Sequence, residues 1–161
     1  MMARNLLIFL SVILAIGCPT NQDTSWSDIK PWDGVPNANQ GEPEATTSSK
    51  LLSLHNKQRE LRGRTSLTID NYLEKYAQKH AEWMASKHNL QHSDISVLMG
   101  KYHAAGENIA WNQEDELEVV NAWMKSPGHR ENIMNRQFSK VGFGVAQAGD
   151  GSLFWCTVFG D

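Results

Sequence analysis

The chain has 161 residues, 40% of them hydrophobic and 20% charged, enough for one globular domain with a real hydrophobic core. A formal net charge of -3 without any Lys/Arg block leaves no electrostatic case for binding nucleic acid. The charge is uneven: residues 19–47 hold Asp23, Asp28, Asp33, Glu42 and Glu44 against Lys30 alone, while acidic and basic residues are equal in number from Ser48 onward.

Residues 1–18 read as an export signal. Arg4 supplies a short positive region, and Leu6 to Ile16 is an unbroken run of apolar and small residues. Spanning a bilayer needs about 20 residues, so this run is too short for that, but it suits a signal-peptide core. It ends in Ala15-Ile16-Gly17-Cys18, which resembles a bacterial lipobox, with Ala15 standing where leucine is usual and Pro19 directly after the cysteine. Two readings stay open, lipidation of Cys18 and an ordinary cleaved signal peptide. Both take the protein out of the cytoplasm, secreted or held at the cell envelope, and allow membrane contact only through an N-terminal lipid.

Residues 19–47 read as a flexible acidic tether. They hold four of the five prolines and show no apolar periodicity, so they cannot bury enough surface to fold. Trp26 and Trp32 are the exceptions within it.

The folded domain is expected over residues 48–161. Leu51, Leu54, Gln58 and Leu61 recur at helical spacing, and Gly63 closes that helix. Ile69, Leu73, Tyr76, His80 and Trp83 mark a longer second helix that ends around Asn89. Residues 90–106 have no period and read as a loop. Glu114 to Met124 forms a third helix whose acidic first turn suits the helix dipole. Ser126-Pro127 opens a fourth, with serine as N-cap and proline at the first helical position. Val141 to Gln147 and Leu153 to Phe159 are strands, and Gly149-Asp150-Gly151 between them is a hairpin signal. Helices first and antiparallel strands late give an α+β sandwich.

All six histidines lie in this domain. His80 falls on the apolar face of the second helix and reads as a packed core residue. His55 and Arg59 are one turn apart on the first helix and suit a structural hydrogen-bond cluster. His88 ends the second helix as a solvated cap, and His103 has only loop surface around it. Cys156, in Leu153-Phe154-Trp155-Cys156-Thr157-Val158-Phe159, reads as a buried, inert thiol.

His92 and His129 differ. His92 opens a polar loop in Leu90-Gln91-His92-Ser93, and His129 sits in the first turn of the fourth helix, where the dipole keeps imidazole neutral and able to take a cation. Between them Glu107 lies in the apolar, strand-like run Gly106-Glu107-Asn108-Ile109-Ala110. A buried glutamate needs a partner, whether a cation, a histidine or backbone donors. Two histidines and a carboxylate could make a three-ligand zinc site with an open position, though spacing alone does not bring them together.

Four stretches in order carry a family resemblance. They are His55-Asn56-Lys57-Gln58-Arg59, then Gly106-Glu107-Asn108-Ile109-Ala110, then Trp123-Met124-Lys125-Ser126-Pro127-Gly128-His129-Arg130-Glu131-Asn132-Ile133-Met134, and last Val141-Gly142-Phe143-Gly144-Val145 with Trp155-Cys156-Thr157-Val158-Phe159-Gly160. From about Ser48 to the end the chain resembles the CAP superfamily (cysteine-rich secretory, antigen 5 and pathogenesis-related 1 proteins; the SCP domain) in its bacterial form. The resemblance implies a three-layer α-β-α sandwich with a central antiparallel sheet and a cleft. It implies that His92, Glu107 and His129 line that cleft, with the two histidines able to hold zinc or another divalent cation. Ser126 stands where many members carry a second acid.

Three functions remain open. The first is a non-enzymatic binding module with a cation-holding cleft and an outer surface for a lipid or sterol, a wall component or a protein partner. The second is a zinc-assisted, protease-like hydrolase on His92 and His129, with Glu107 as general base. The third is an adhesive role through the tether. No serine has a nucleophile-elbow setting: Ser93 and Ser126 both lack the flanking glycines.

Overall fold

The structure, a computed structural model, describes residues 11–13 and 45–161. Cys18, Trp26, Trp32 and nearly all of the expected tether lie outside the described residues. In chain order the elements are strand β1 (Ser11–Ile13), helix α1 (Ala45–Glu60), strand β2 (Thr68–Ile69), helix α2 (Asn71–Lys87), a 3-10 helix (Ile95–Gly100), strand β3 (Ala105–Trp111), helices α3 (Glu116–Lys125) and α4 (Pro127–Met134), and strands β4 (Lys140–Gln147) and β5 (Leu153–Gly160). Among the described residues no helix is long and apolar enough to cross a membrane.

The strands form one sheet in the order β1-β3-β5-β4-β2. Its centre is antiparallel, as expected, but β2 joins β4 in parallel, so the sheet is mixed. That short edge strand takes Ile69 from the expected second helix. The reason is Asp70, whose carboxylate accepts from the Tyr72 and Leu73 N–H groups at 2.8 and 3.1 Å and so starts α2 one residue after itself. The expected loop 90–106 also contains more order than its sequence shows. It holds the 3-10 helix, capped by the Asp94 carboxylate on the Ser96 N–H, and the first residues of β3. Ser126 stands at the N-cap position of α4 with Pro127 behind it, but its side chain makes no capping hydrogen bond.

Alternation along the strands splits the core into two layers. Ile109, Phe154, Cys156 and Val158 pack against Leu73, Ala77, Ala81 and Met84 of α2 and against Ile95 and Leu98. On the other face Ala110, Phe143, Trp155 and Phe159 pack against Leu51 of α1, Val119, Val120 and Trp123 of α3 and Ile133 of α4. This is a three-layer α-β-α sandwich. The glycines of Val141-Gly142-Phe143-Gly144 have a direct role: a Cβ at Gly142 would collide with the backbone of Leu73 and Glu74, and one at Gly144 with that of Ala77 and Gln78. Only bare backbone lets α2 lie this close to β4. The hairpin closes through Gly151, whose φ of +89° is one that glycine adopts without strain.

His55 and Arg59 are both fully buried, but with separate partners rather than in one cluster. His55 Nδ1 lies 2.8 Å from Leu51 O, and the ring packs among Trp123, Phe143 and Phe159. Burial, opposed by the Leu51 bond and aided by Arg59, pulls its pKa down to about 4. The unfolded chain therefore takes this proton first as pH falls. Stability is complete above the ordinary histidine value and declines between about pH 6.5 and 4, by about 3 kcal/mol in all from this residue. Urea midpoints measured across that range should show the decline in the wild type, with a shallower slope in His55→Gln. Equal slopes would show that the ring is not held neutral.

Candidate functional site

Glu107 lies at the middle of β3, 1% exposed, on the face turned to α2. His92, in the loop after α2, brings Nδ1 to 2.6 Å from Glu107 Oε1. The Ser93 N–H donates to the same oxygen at 2.9 Å, and the Ser93 hydroxyl donates to Oε2 at 2.5 Å. The Tyr76 hydroxyl lies 3.0 Å from both Ser93 Oγ and Asp94 O, and its one proton, shared between these acceptors, ties the loop to α2. His80 Nε2 lies 2.7 Å from Gln91 O and 3.9 Å from Glu107 Oε2, and its ring stacks on Trp83. Cys156 Sγ completes the shell, 3.7 Å from Glu107 Oε2.

The electrostatics follow from these contacts. Burial alone would raise the Glu107 pKa, but the hydrogen bond from His92, the field of His80 and the two bonds from Ser93 outweigh it and hold the carboxyl below its usual value. Burial, with Glu107 beside it, pushes the Cys156 thiol well above its ordinary value. The thiol is free, buried and inert as a nucleophile, as its sequence setting indicates. Burial also moves the Tyr76 hydroxyl up to about 12, despite its bond to Ser93. At neutral pH this network is one carboxylate surrounded by donors.

The other expected site residues, His129 and Ser126, belong to α4 and its cap, and α4 packs in the second layer. Asn108, next to Glu107, points to the opposite face of the sheet, where its Nδ2 donates to His129 O at 3.0 Å. Asn132 Nδ2 donates to Asn108 Oδ1 at 2.9 Å and to Glu107 O at 3.1 Å. These bonds fasten α4, with the fully buried His129, to β3. The structure thus joins His92 to Glu107 and sets Ser126 and His129 at the N-terminal end of α4, a helix fastened both to the Asn108 face of β3 and to its outer edge at Glu107 O. Among the described residues no three His, Cys, Asp or Glu side chains are grouped to hold a metal ion. His88, the left-handed cap of α2, lies 3.7 Å from Asp150, and His103 pairs with Asp161, so both belong to the surface. His80 is the residue that sequence reasoning leaves out of the site. It has the core position assigned to it, and only the fold reveals that the same position faces Glu107.

The sequence profile of the cysteine-rich secretory protein (CAP) family matches residues 52–159, which takes in the whole network and every residue of both core layers except Leu51. The chain belongs to the CAP family. Among curated relatives, YkwD of Bacillus subtilis is 38% identical over 109 residues, covering 62% of this chain and 42% of its own length. The human Golgi-associated plant pathogenesis-related protein 1 is 30% identical over 122 residues, covering 66% of this chain and 77% of its own. The first CAP relatives matched are longer proteins, of which this chain spans less than half. Among solved CAP structures, an outer surface protein from Borrelia burgdorferi superposes with a TM-score of 0.64 at 26% identity, over 70% of this chain and 90% of that one.

Proposed function

We propose that this CAP protein is an exported, non-enzymatic binding module whose His92, oriented by Glu107, holds a divalent cation together with His129. The observation that carries the reading is the saturation of Glu107. Its carboxylate accepts from two Ser93 groups and lies against His92 Nδ1, at 1% exposure and with its pKa held down. A general base needs a proton-accepting oxygen within reach of a water, so this arrangement supports an orienting glutamate rather than a hydrolytic one. A histidine whose Nδ1–H is held by a carboxylate keeps its lone pair on Nε2, the arrangement that supports metal-ligating histidines. His92 therefore fits a cation with Glu107 behind it. Zinc there would neutralise local charge and anchor a ligand, and two protein ligands make the site weak.

Export is supported by the apolar leader and by the Borrelia burgdorferi relative, which is described as an outer surface protein. Lipidation of Cys18 belongs to this proposal, as does an outer surface meeting a lipid, sterol, wall component or protein. Labelling with a fatty-acid analogue should mark the wild type and not Cys18→Ala. The cation is tested by titrating zinc into the full chain by calorimetry beside His92→Ala and His129→Ala. One weak site lost in both variants is expected. No heat, or equal heat in all three proteins, would sink the cation and leave the histidines structural.

A further inference from the structure

The sheet has an unusual edge at β3. Asn112 N–H donates to Leu153 O at 2.8 Å, and the unbroken antiparallel register turns the backbone groups of Ala110, Asn108 and Gly106 the same way, toward β5. Glu107 and Ile109 therefore turn theirs outward. Two helical side chains reach round to this edge: Asn132 Nδ2 donates to Glu107 O at 3.1 Å, and Trp123 Nε1 to Ile109 O at 3.2 Å. A strand laid here meets the Glu107 N–H with a carbonyl of its own.

A strand does lie here. Ser11–Ile13 pairs antiparallel with β3, Val12 opposite Glu107, Ser11 opposite Asn108 and Ile13 opposite Gly106, and it also touches α4. Edge strands are commonly guarded against such pairing by lysine or proline. The run Ala105-Gly106-Glu107-Asn108-Ile109-Ala110-Trp111 has neither, and its one charge, Glu107, is buried on the α2 face. The edge is receptive, and the residues seated on it come from the apolar leader that export would remove.

We propose that the β3 edge is a strand-docking site which, once the leader has gone, takes an extended, uncharged, apolar segment of a partner protein, antiparallel to β3 and bonded to the Glu107 backbone. Main-chain hydrogen bonds supply the affinity in this mode of recognition, and the occupant is set by its extended form and lack of charge. The seat does not depend on any cation, but its vacancy rests on the exported reading.

The test uses the full chain made without export, leader retained, and its V12P variant, with the exchange rate of the Glu107 amide as readout. Proline removes the N–H at position 12 and disfavours pairing there, so V12P should speed Glu107 exchange by about tenfold or more. A synthetic peptide of residues 9–15 between lysine pairs, added to the V12P chain, should restore the protection, and the same peptide carrying proline at that position should not. Unchanged exchange in V12P, or no response to either peptide, overturns the docking site. A V12P chain that protects the amide by forming a dimer in sedimentation overturns it too, since a second copy would then be the occupant. The mass of the N-terminus after export separately reads leader removal, so a failure of the exported reading is distinguishable from a failure of the dock.

Discussion

Arg59→Met should destabilise the fold by about 3–5 kcal/mol, a loss large enough to consume much of a small domain's stability. The guanidinium is fully buried on α1 and its partners are backbone carbonyls: Nε donates to Thr65 O at 2.7 Å, Nη1 to Ile133 O and Asn135 O at 2.8 and 2.9 Å, and Nη2 to Phe138 O at 3.0 Å. One side chain thus fastens the turn after α1, the end of α4 and the approach to β4. Methionine fills the volume but leaves four carbonyls without their donor, two of them, Ile133 O and Phe138 O, buried away from water. Lysine keeps the charge without the planar fork, cannot reach all four, and should fall between methionine and wild type. Urea denaturation at neutral pH measures the series. A methionine variant within about 1 kcal/mol of wild type would mean that the carbonyls find other donors at little cost.

This residue also shows how far the sequence can be read. Placing His55 and Arg59 on one helical face needs only the period of the helix, and both are indeed inside. Where Arg59 sends its five N–H groups depends on segments more than seventy residues away, and no local pattern encodes that. The final hairpin is legible because alternation and the Gly149-Asp150-Gly151 turn are local. Spacing alone misplaces the start of α2 because Ile69 satisfies the helical period while also suiting an edge strand, and Asp70 decides between them by its cap. The partner of Glu107 can be anticipated only as a class, since burial demands donors without naming them. That His92 and Ser93 supply them requires the loop after α2 to return to β3. The placing of α4 in the other layer is available in principle. Neighbouring residues of a strand face opposite ways, so a motif holding both Glu107 and Asn108 serves both faces at once.

That double service explains why the Gly106-Glu107-Asn108 stretch is so constrained. Gly106 leaves room for the Phe138 ring and for Asn132 Oδ1, Glu107 organises the loop on the α2 side, and Asn108 holds α4 on the other. Both outer layers are therefore fastened to one strand at adjacent residues. A ligand acting on that strand's outer edge would reach His92 and α4 together.

Glu107→Ala should cost about 3–4 kcal/mol, and Glu107→Gln clearly less, about 1–2 kcal/mol. Alanine leaves the His92 ring, the Ser93 N–H and the Ser93 hydroxyl facing an acceptor that is gone, in a site with no room for bulk water. Glutamine keeps one acceptor oxygen for His92 and the Ser93 N–H, and its amide can donate to Ser93 Oγ. The pH dependence separates charge from shape. Because the folded carboxyl titrates below its unfolded value, its contribution is present above the ordinary glutamate pKa and is lost as pH falls through the lower folded one. The gap between wild type and Glu107→Gln should therefore be widest near neutrality and narrow in acid. Zinc binding should weaken in both variants, since His92 loses the carboxylate that orients it. If Glu107→Gln matched wild type in stability at every pH and in zinc affinity, the carboxylate would be a hydrogen-bond acceptor only, and the charge at the centre of the network would have no function.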